Sequence, residues 1–215
     1  MESALISKLK IATTHEEGVE PIIDICNELG VAYYQGSLDD VLGRFYQAAL
    51  PENPDWVVRL TSDCPLIDPA MIDKVVRAAI EHDVDYASNT LNPSYPDGID
   101  VEVFKFSALE KAFKEATLTS EREHVTPYIW KNSDVKGGHI FKALNVENAE
   151  DLSLIRLTVD TIEDFEVIEK LVQIEGTDKD WLTYVDTLNN HPEIKEINQK
   201  YRRNEGYDKS IDLEK

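Results

Sequence analysis

Three observations in this sequence predict an α/β protein: a three-layer sandwich with helices on both faces of a mostly parallel sheet. Short apolar runs alternate with longer stretches whose apolar residues recur at helical spacing. Helix-start signals, in which Ser, Thr or Asp precedes an acid or a proline, stand at the junctions. No internal repeat or low-complexity linker interrupts the 215 residues, a length that supports a well-buried core. Strands divided by helices of this length bury both faces of a sheet.

The elements follow in order. Residues 9–14 form a first strand, and the helix over 16–29 turns Val19, Ile22, Ile23, Cys26 and Leu29 to one face. Residues 31–36 are a second strand. Ser37, with Asp40 three positions on, caps a helix whose apolar side is Val41, Leu42, Phe45, Tyr46 and Ala49. After a strand at 55–60, Asp68 and Pro69 start a helix with Met71, Ile72, Val75, Val76, Ala79 and Ile80 inward. A strand at 84–89 leads into "TLNPSYPDG", whose prolines and glycine predict an ordered loop, then a strand at 99–106. Ser107 with Glu110, and Ser120 with Glu123, read as capping boxes; strands at 138–146 and 154–159 precede a third box at Thr161 and Asp164. The main domain is expected over 1–179, and 180–215 as a helical extension that packs on it or on a partner subunit.

Composition narrows the function classes. With 42 acids against 22 bases, the net charge of -20 repels nucleic acid polymers and anionic membranes. No run reaches about 18 apolar residues, so membrane insertion is not expected. Cys26 and Cys64 lie outside any CxxC pair and read as buried thiols of a cytoplasmic protein. Neither a zinc cluster nor a P-loop is present in the sequence.

In an open α/β sheet, ligands collect beyond the carboxyl ends of strands. Asp63 and Asp160 stand at two such ends, where paired carboxylates suit Mg²⁺ bridged to phosphate, or else serve a turn and a cap. Asp68 reads as an N-cap, and Cys64 as a packed thiol. Arg59 needs a partner, either a ligand phosphate or Asp63. Alternation sets Asp100 and Glu102 opposite Ile99, Val101 and Val103, facing solvent or a polar pocket. His124, among charged neighbours, is an exposed helical histidine or a ligand-facing base. A glycosyltransferase reading finds little support, since "DVD" at 83–85 begins a strand instead of ending one.

Together, "GSLDDVLGRFYQAA" (36–49), "VVRLTSDCPLIDP" (57–69), "YASNTLNPSYPDGIDVEVF" (86–104), "SEREHVTPYI" (120–129), "LTVDTIEDFEVI" (157–168) and "INQKYRRNEGY" (197–207) resemble one family. It is the cytidylyltransferase-like family typified by spore coat polysaccharide biosynthesis protein F, related to acylneuraminate and 3-deoxy-manno-octulosonate cytidylyltransferases. The resemblance implies the nucleotide-diphospho-sugar transferase fold and transfer of a cytidylyl group from CTP to an acidic sugar. It implies that Asp63 and Asp160 hold Mg²⁺ and that Arg59 acts beside the nucleotide. Asp97, Asp100, Glu102 and His124 would lie near the sugar, and Ser37, Asp39, Asp40 and Arg44 near the nucleotide. Homodimer formation is expected because relatives often pair. Members of the family open with a strand, a glycine- and arginine-containing triphosphate loop and a helix. Residues 1–14 instead resemble the second strand and its lead-in, so a shortened chain is expected, with a catalytically degenerate binding or scaffold protein as the alternative.

Overall fold

The computed structural model describes residues 3–212 and 214. Among them, six strands fall into two sheets. β1 (Lys10–Thr14) and β2 (Ala32–Gly36) pair in parallel and are joined by α1 (Glu20–Leu29). The second sheet contains β3 (Trp56–Arg59), β4 (Tyr86–Ser88), β5 (Glu102–Lys105) and β6 (Ala143–Asn145), in the order β3-β5-β4-β6. β4 and β6 run parallel, but β5 is antiparallel to both of its neighbours. The sheet is therefore mixed, which corrects the expectation of a mostly parallel one. The cause is the connection from β4 to β5. A parallel return needs a crossover that carries the chain back to its starting end. Residues 89–101 contain no helix and turn at the carboxyl end of β4 instead.

Alternation along these strands divides the core between two helical layers. In β5, Val103 faces one layer and Phe104 the other; in β4, Ala87 and Tyr86 divide in the same way. One layer is built by α3 (Pro69–Glu81), α7 (Ile162–Glu175) and α8 (Trp181–Asn190), packed on Ile99, Val101 and Val103, which are fully buried. The other holds α2 (Val41–Ala49), α4 (Phe106–Glu115), α5 (Thr119–His124) and α6 (Pro127–Lys131) around Leu42, Leu109 and Ile129. Each such side chain contributes about 1.5–3 kcal/mol through removal from water. The helical C-terminal segment continues through α9 (Pro192–Lys195) to α10 (Glu205–Asp212). Trp181, Tyr184, Leu188 and Ile194 of this segment belong to the first core cluster.

Two of the expected caps form. The Asp68 carboxylate accepts from Ala70 N–H at 2.7 Å and from Trp181 N–H at 3.2 Å, so one residue starts α3 and fastens α8. Thr161 and Asp164 cap α7 reciprocally. The others differ. Asp40, not Ser37, caps α2 by accepting from Gly43 N–H, while the Ser37 hydroxyl accepts from Asp40 N–H. The boxes at Ser107 and Ser120 are absent, because α4 starts at Phe106 and α5 at Thr119, which puts each serine inside a first turn. The Glu121 carboxylate, in place of Glu123, reaches back to Leu118 N–H.

Four other expectations are corrected. Residues 154–159 form no ladder strand; they are extended and joined to residue 97 by a single bridge at Arg156. Only Ala143–Asn145 of 138–146 pairs as a strand. On α1, Val19 and Cys26 are buried, but Ile22 and Leu29 are 46% and 70% exposed, since a two-stranded sheet is too narrow to cover the whole face. Ile80, at the end of α3, is also exposed.

Gly98 sets the shape of the loop between β4 and β5. Its φ is +98°, and a Cβ there would meet the Leu157 carbonyl carbon at 2.4 Å. Only glycine permits both the left-handed backbone and this approach. Asp97 N–H then donates to Ile155 O at 2.9 Å, and Leu157 N–H to Asp97 O at 2.7 Å, which locks the loop to the extended segment.

Candidate active site

A cavity of about 660 Å³ opens at the ends of β3 and β5 and is covered on one side by the C-terminal segment. Its volume is in the range that holds a small molecule. Both strand-end acids line it. The main chain decides this: Val159 N–H donates to Asp63 O at 2.8 Å, and the Thr158 hydroxyl donates to the same oxygen at 3.1 Å. These bonds tie the end of β3 to the segment running into α7, so Asp63 and Asp160 share one rim.

The floor is an ionic series in which Arg59 and Arg156 line the cavity and Arg203, outside the lining, pairs with two of its acids. Arg156, in the extended segment, is nearly buried and donates to Asp97 at 2.8 Å, to Asp160 at 2.7 Å and twice to Asp164 at 2.8 Å. Arg203 pairs with Asp97 at 3.5 Å and more closely with Asp100. Arg59 pairs with Glu102, whose other oxygen accepts from Tyr86 at 2.6 Å and Thr126 at 2.5 Å. Asp63 is therefore not the partner of Arg59, because the antiparallel register sets Arg59 directly opposite Glu102. The Arg59 Nε is buried without a partner. Phe45 lies under this guanidinium, 5.8 Å from ring centre to Cζ.

Local electrostatics follow from burial and bonding. Burial raises the Asp164 carboxyl, but hydrogen bonds from Arg156, Asp160 N–H and Asn198 overcome it and hold the group at about 2. Burial pushes Asp100 up to about 6 despite Arg203, aided by repulsion from Asp97 and Glu102. Burial also raises Asp97, against the pull of Arg203 and Arg156. Cys64, buried beside Asp63, is pushed up to about 12 and stays a thiol, as its packed reading requires. Burial lowers His124 below the usual imidazole value.

A strained turn presents the opposite wall. Val125 joins α5 to α6 at φ 73° and ψ -58°, and Thr126 N–H donates to His124 O at 2.9 Å, closing a γ-turn. A fully buried β-branched residue there costs about 1–3 kcal/mol. The turn brings the Thr126 hydroxyl to Glu102 and sets His124 on the cavity wall, with Nε2 3.1 Å from the Ser210 hydroxyl of α10.

Of the residues singled out in the sequence, the structure brings Asp63, Asp160, Arg59, Asp97, Asp100, Glu102 and His124 to this cavity. Ser37, Asp39 and Arg44 fall outside its lining, at the start of α2. Arg44 donates there to Ser37 O at 2.9 Å, and Asp40 pairs with Arg122. Sequence reasoning missed Arg156 and Arg203. Arg156 stands in an apolar run, "LIRLTV", as Arg59 does in "VVRL", and the same signal would have marked it. Arg203 had no signal beyond its place in "YRRNEGY".

Among the described residues, no cluster of three or more His, Cys, Asp or Glu side chains could enclose a metal. Mg²⁺ characteristically takes only one or two carboxylates plus substrate phosphates. The Asp63 and Asp160 pair fits that mode, since among the described residues the Asp63 side chain has only a distant thiol contact and Asp160 is more than half exposed with one oxygen on Arg156.

A mixed sheet between helical layers, with a carboxylate- and arginine-lined cavity at strand ends, defines an α/β protein with room for a small molecule at those ends. The chain belongs to the cytidylyltransferase family, whose model matches residues 1–204. It is 39% identical over 205 residues to an uncharacterized protein of Methanocaldococcus jannaschii, covering 94% of this chain and 81% of that one. It is 31% identical over 169 residues to the spore coat polysaccharide biosynthesis protein SpsF of Bacillus subtilis, covering 78% and 68%. A cytidylyltransferase from Leptospira borgpetersenii superposes with a TM-score of 0.81 at 31% identity, over 89% of this chain and 79% of that one. A putative nucleotide-diphospho-sugar transferase from Desulfovibrio desulfuricans, at 16% identity and a TM-score of 0.52 over 90% and 78%, shares the fold. No helix among the described residues is long and apolar enough to cross a membrane.

Proposed function

We propose that this chain is a cytoplasmic nucleotidyltransferase that moves the cytidylyl group of CTP to an acidic sugar in surface polysaccharide biosynthesis. Family membership supports the reaction class, and the polysaccharide role follows the Bacillus relative's name. The observation that carries the reading is the shared rim of Asp63 and Asp160, fixed by the Val159-to-Asp63 main-chain bond.

In this reaction a sugar hydroxyl oxygen bonds to the α-phosphorus, the bond from that phosphorus to the bridging oxygen breaks, and pyrophosphate leaves. Mg²⁺, when bound, would offset the phosphate charge. Asp63 and Asp160 would hold it, and Arg156, donating to Asp160, aims that carboxylate. The unpartnered Arg59 Nε is a donor for a phosphate or sugar oxygen. Asp97, Asp100 and Glu102 are engaged by arginines, so they position those cations and form the polar floor under the sugar.

The test is pyrophosphate release with CTP, Mg²⁺ and a panel of nonulosonic acids. Turnover is expected, with loss of at least a hundredfold in Asp63→Asn and Asp160→Asn, both still folded by circular dichroism. CTP·Mg²⁺ binding without pyrophosphate release from any acceptor would favour the degenerate binding protein. Unchanged metal-dependent nucleotide binding in both variants would remove the metal assignment.

A further inference from the structure

The cavity has two unlike ends. At the rim of Asp63 and Asp160 and along the floor, its arginines are matched by carboxylates. At the other end, α6 and α10 bring Trp130 and Tyr207 together with ring centres 6.0 Å apart. Lys136 stands over the Trp130 ring at 6.0 Å. Lys131 lies 5.8 Å from the Trp130 ring centre and 5.6 Å from that of Tyr207. Lys136 and Lys209 line the cavity, and neither makes an ion pair with a described carboxylate. The Tyr207 hydroxyl is buried with no hydrogen-bond partner among the described residues. α10 is held in place by Ser210, which donates to Glu123 at 2.8 Å and lies 3.1 Å from His124.

A chain with a net charge of -20 has carboxylates to spare. Unmatched cations gathered beside an orphaned hydroxyl in a cavity therefore need a separate cause. Leaving a buried donor unsatisfied costs about 1–3 kcal/mol, which an acceptor from a ligand would recover. Cations over aromatic faces and a tyrosine hydroxyl suit an anionic group on a molecule with apolar ring surface.

We propose that Trp130, Lys136, Tyr207 and Lys209 form the acceptor subsite, in which the lysines and the Tyr207 hydroxyl bind the carboxylate of the sugar. The C-terminal segment thereby selects charged acceptors over neutral ones. This assignment rests on the transferase reading of the cavity. It extends that reading by placing acceptor selection on α10 instead of on the acids of the floor, which are already paired.

The test titrates N-acetylneuraminate and 3-deoxy-manno-octulosonate, each beside its methyl ester, into the full chain by calorimetry. Glucose 1-phosphate serves as the phosphate arm. At least one free acid is expected to bind, its ester at least tenfold more weakly. Lys136→Met/Lys209→Met and, to a smaller degree, Tyr207→Phe should weaken the acid and leave the ester unaffected. Equal binding of acid and ester, no binding of either acid, or acid binding that the variants do not change would overturn the proposal. Preference for glucose 1-phosphate would overturn the carboxylate assignment. Pyrophosphate release, measured alongside, decides the parent reading separately. Acid binding of the expected pattern without any turnover would sink the transferase and leave the subsite. Turnover that uses acid and ester equally would do the reverse.

Discussion

Arg156 and Arg203 sit on one ionic floor, each facing two or more aspartates, yet they leave their carboxylates in opposite states. Asp164, on Arg156, is held at about 2, whereas Asp100, on Arg203, is pushed up to about 6. An arginine is close in both cases, so proximity of charge does not decide the outcome. Asp164 receives two bonds from Arg156, one each from Asp160 N–H and Thr161 N–H, and one from Asn198, and these outweigh its burial. For Asp100, the side-chain donor is Arg203, and Asp97 and Glu102 repel it. Donors to the charged form, weighed against burial and like charge, set which way such an acid moves. One end of the floor is a rigid ionic joint, and the other is a contact that a proton can weaken.

Removal of each arginine tests this difference most strongly. Arg156→Ala takes the cation from buried Asp164 and leaves Asp97 with Arg203 alone, and should destabilise the fold by about 3–5 kcal/mol in urea denaturation. Arg203→Ala should cost about 1–3 kcal/mol, since Asp97 keeps Arg156 and Asp100 can take up a proton. An equal cost in both variants would break the distinction.

The pH dependence sharpens it further. Asp164 has a depressed carboxyl, so its contribution is complete above the unfolded value near 3.8 and is lost as pH falls toward about 2. Asp100 has a raised one, so its charged form opposes folding above about 6, and stability rises as pH falls from 6 toward 3.8. Denaturation midpoints should therefore carry an acidic gain between pH 6 and 4 that Asp100→Asn abolishes, and a separate loss below 4 that it leaves in place. The smallest effect belongs to the cap beside Asp164. Thr161→Ala should cost about 1 kcal/mol, read as a shift in thermal midpoint.

Local signals were legible where the physics is local. The caps at Asp68 and Thr161, and the division of Ile99, Val101 and Val103 from Asp100 and Glu102, depend on neighbours a few residues away. Those patterns located most of the cavity wall. Ser37 was misplaced as the cap because Asp40, three residues nearer the helix, accepts from Gly43 N–H, while Ser37 accepts from Asp40 N–H. The partner of Arg59 was not legible, because it depends on strand register across 43 residues.

By itself, the sequence determined the alternation of elements, two of the helix caps and the acids that stand at strand ends, since period and capping act within one or two turns. Only the tertiary structure decided that β5 returns antiparallel, that Arg156 and Arg203 join four acids into a floor, and that α10 closes the cavity with unmatched lysines. These depend on long-range register and on burial, and burial sets the energy of a charge only once its neighbours are in place.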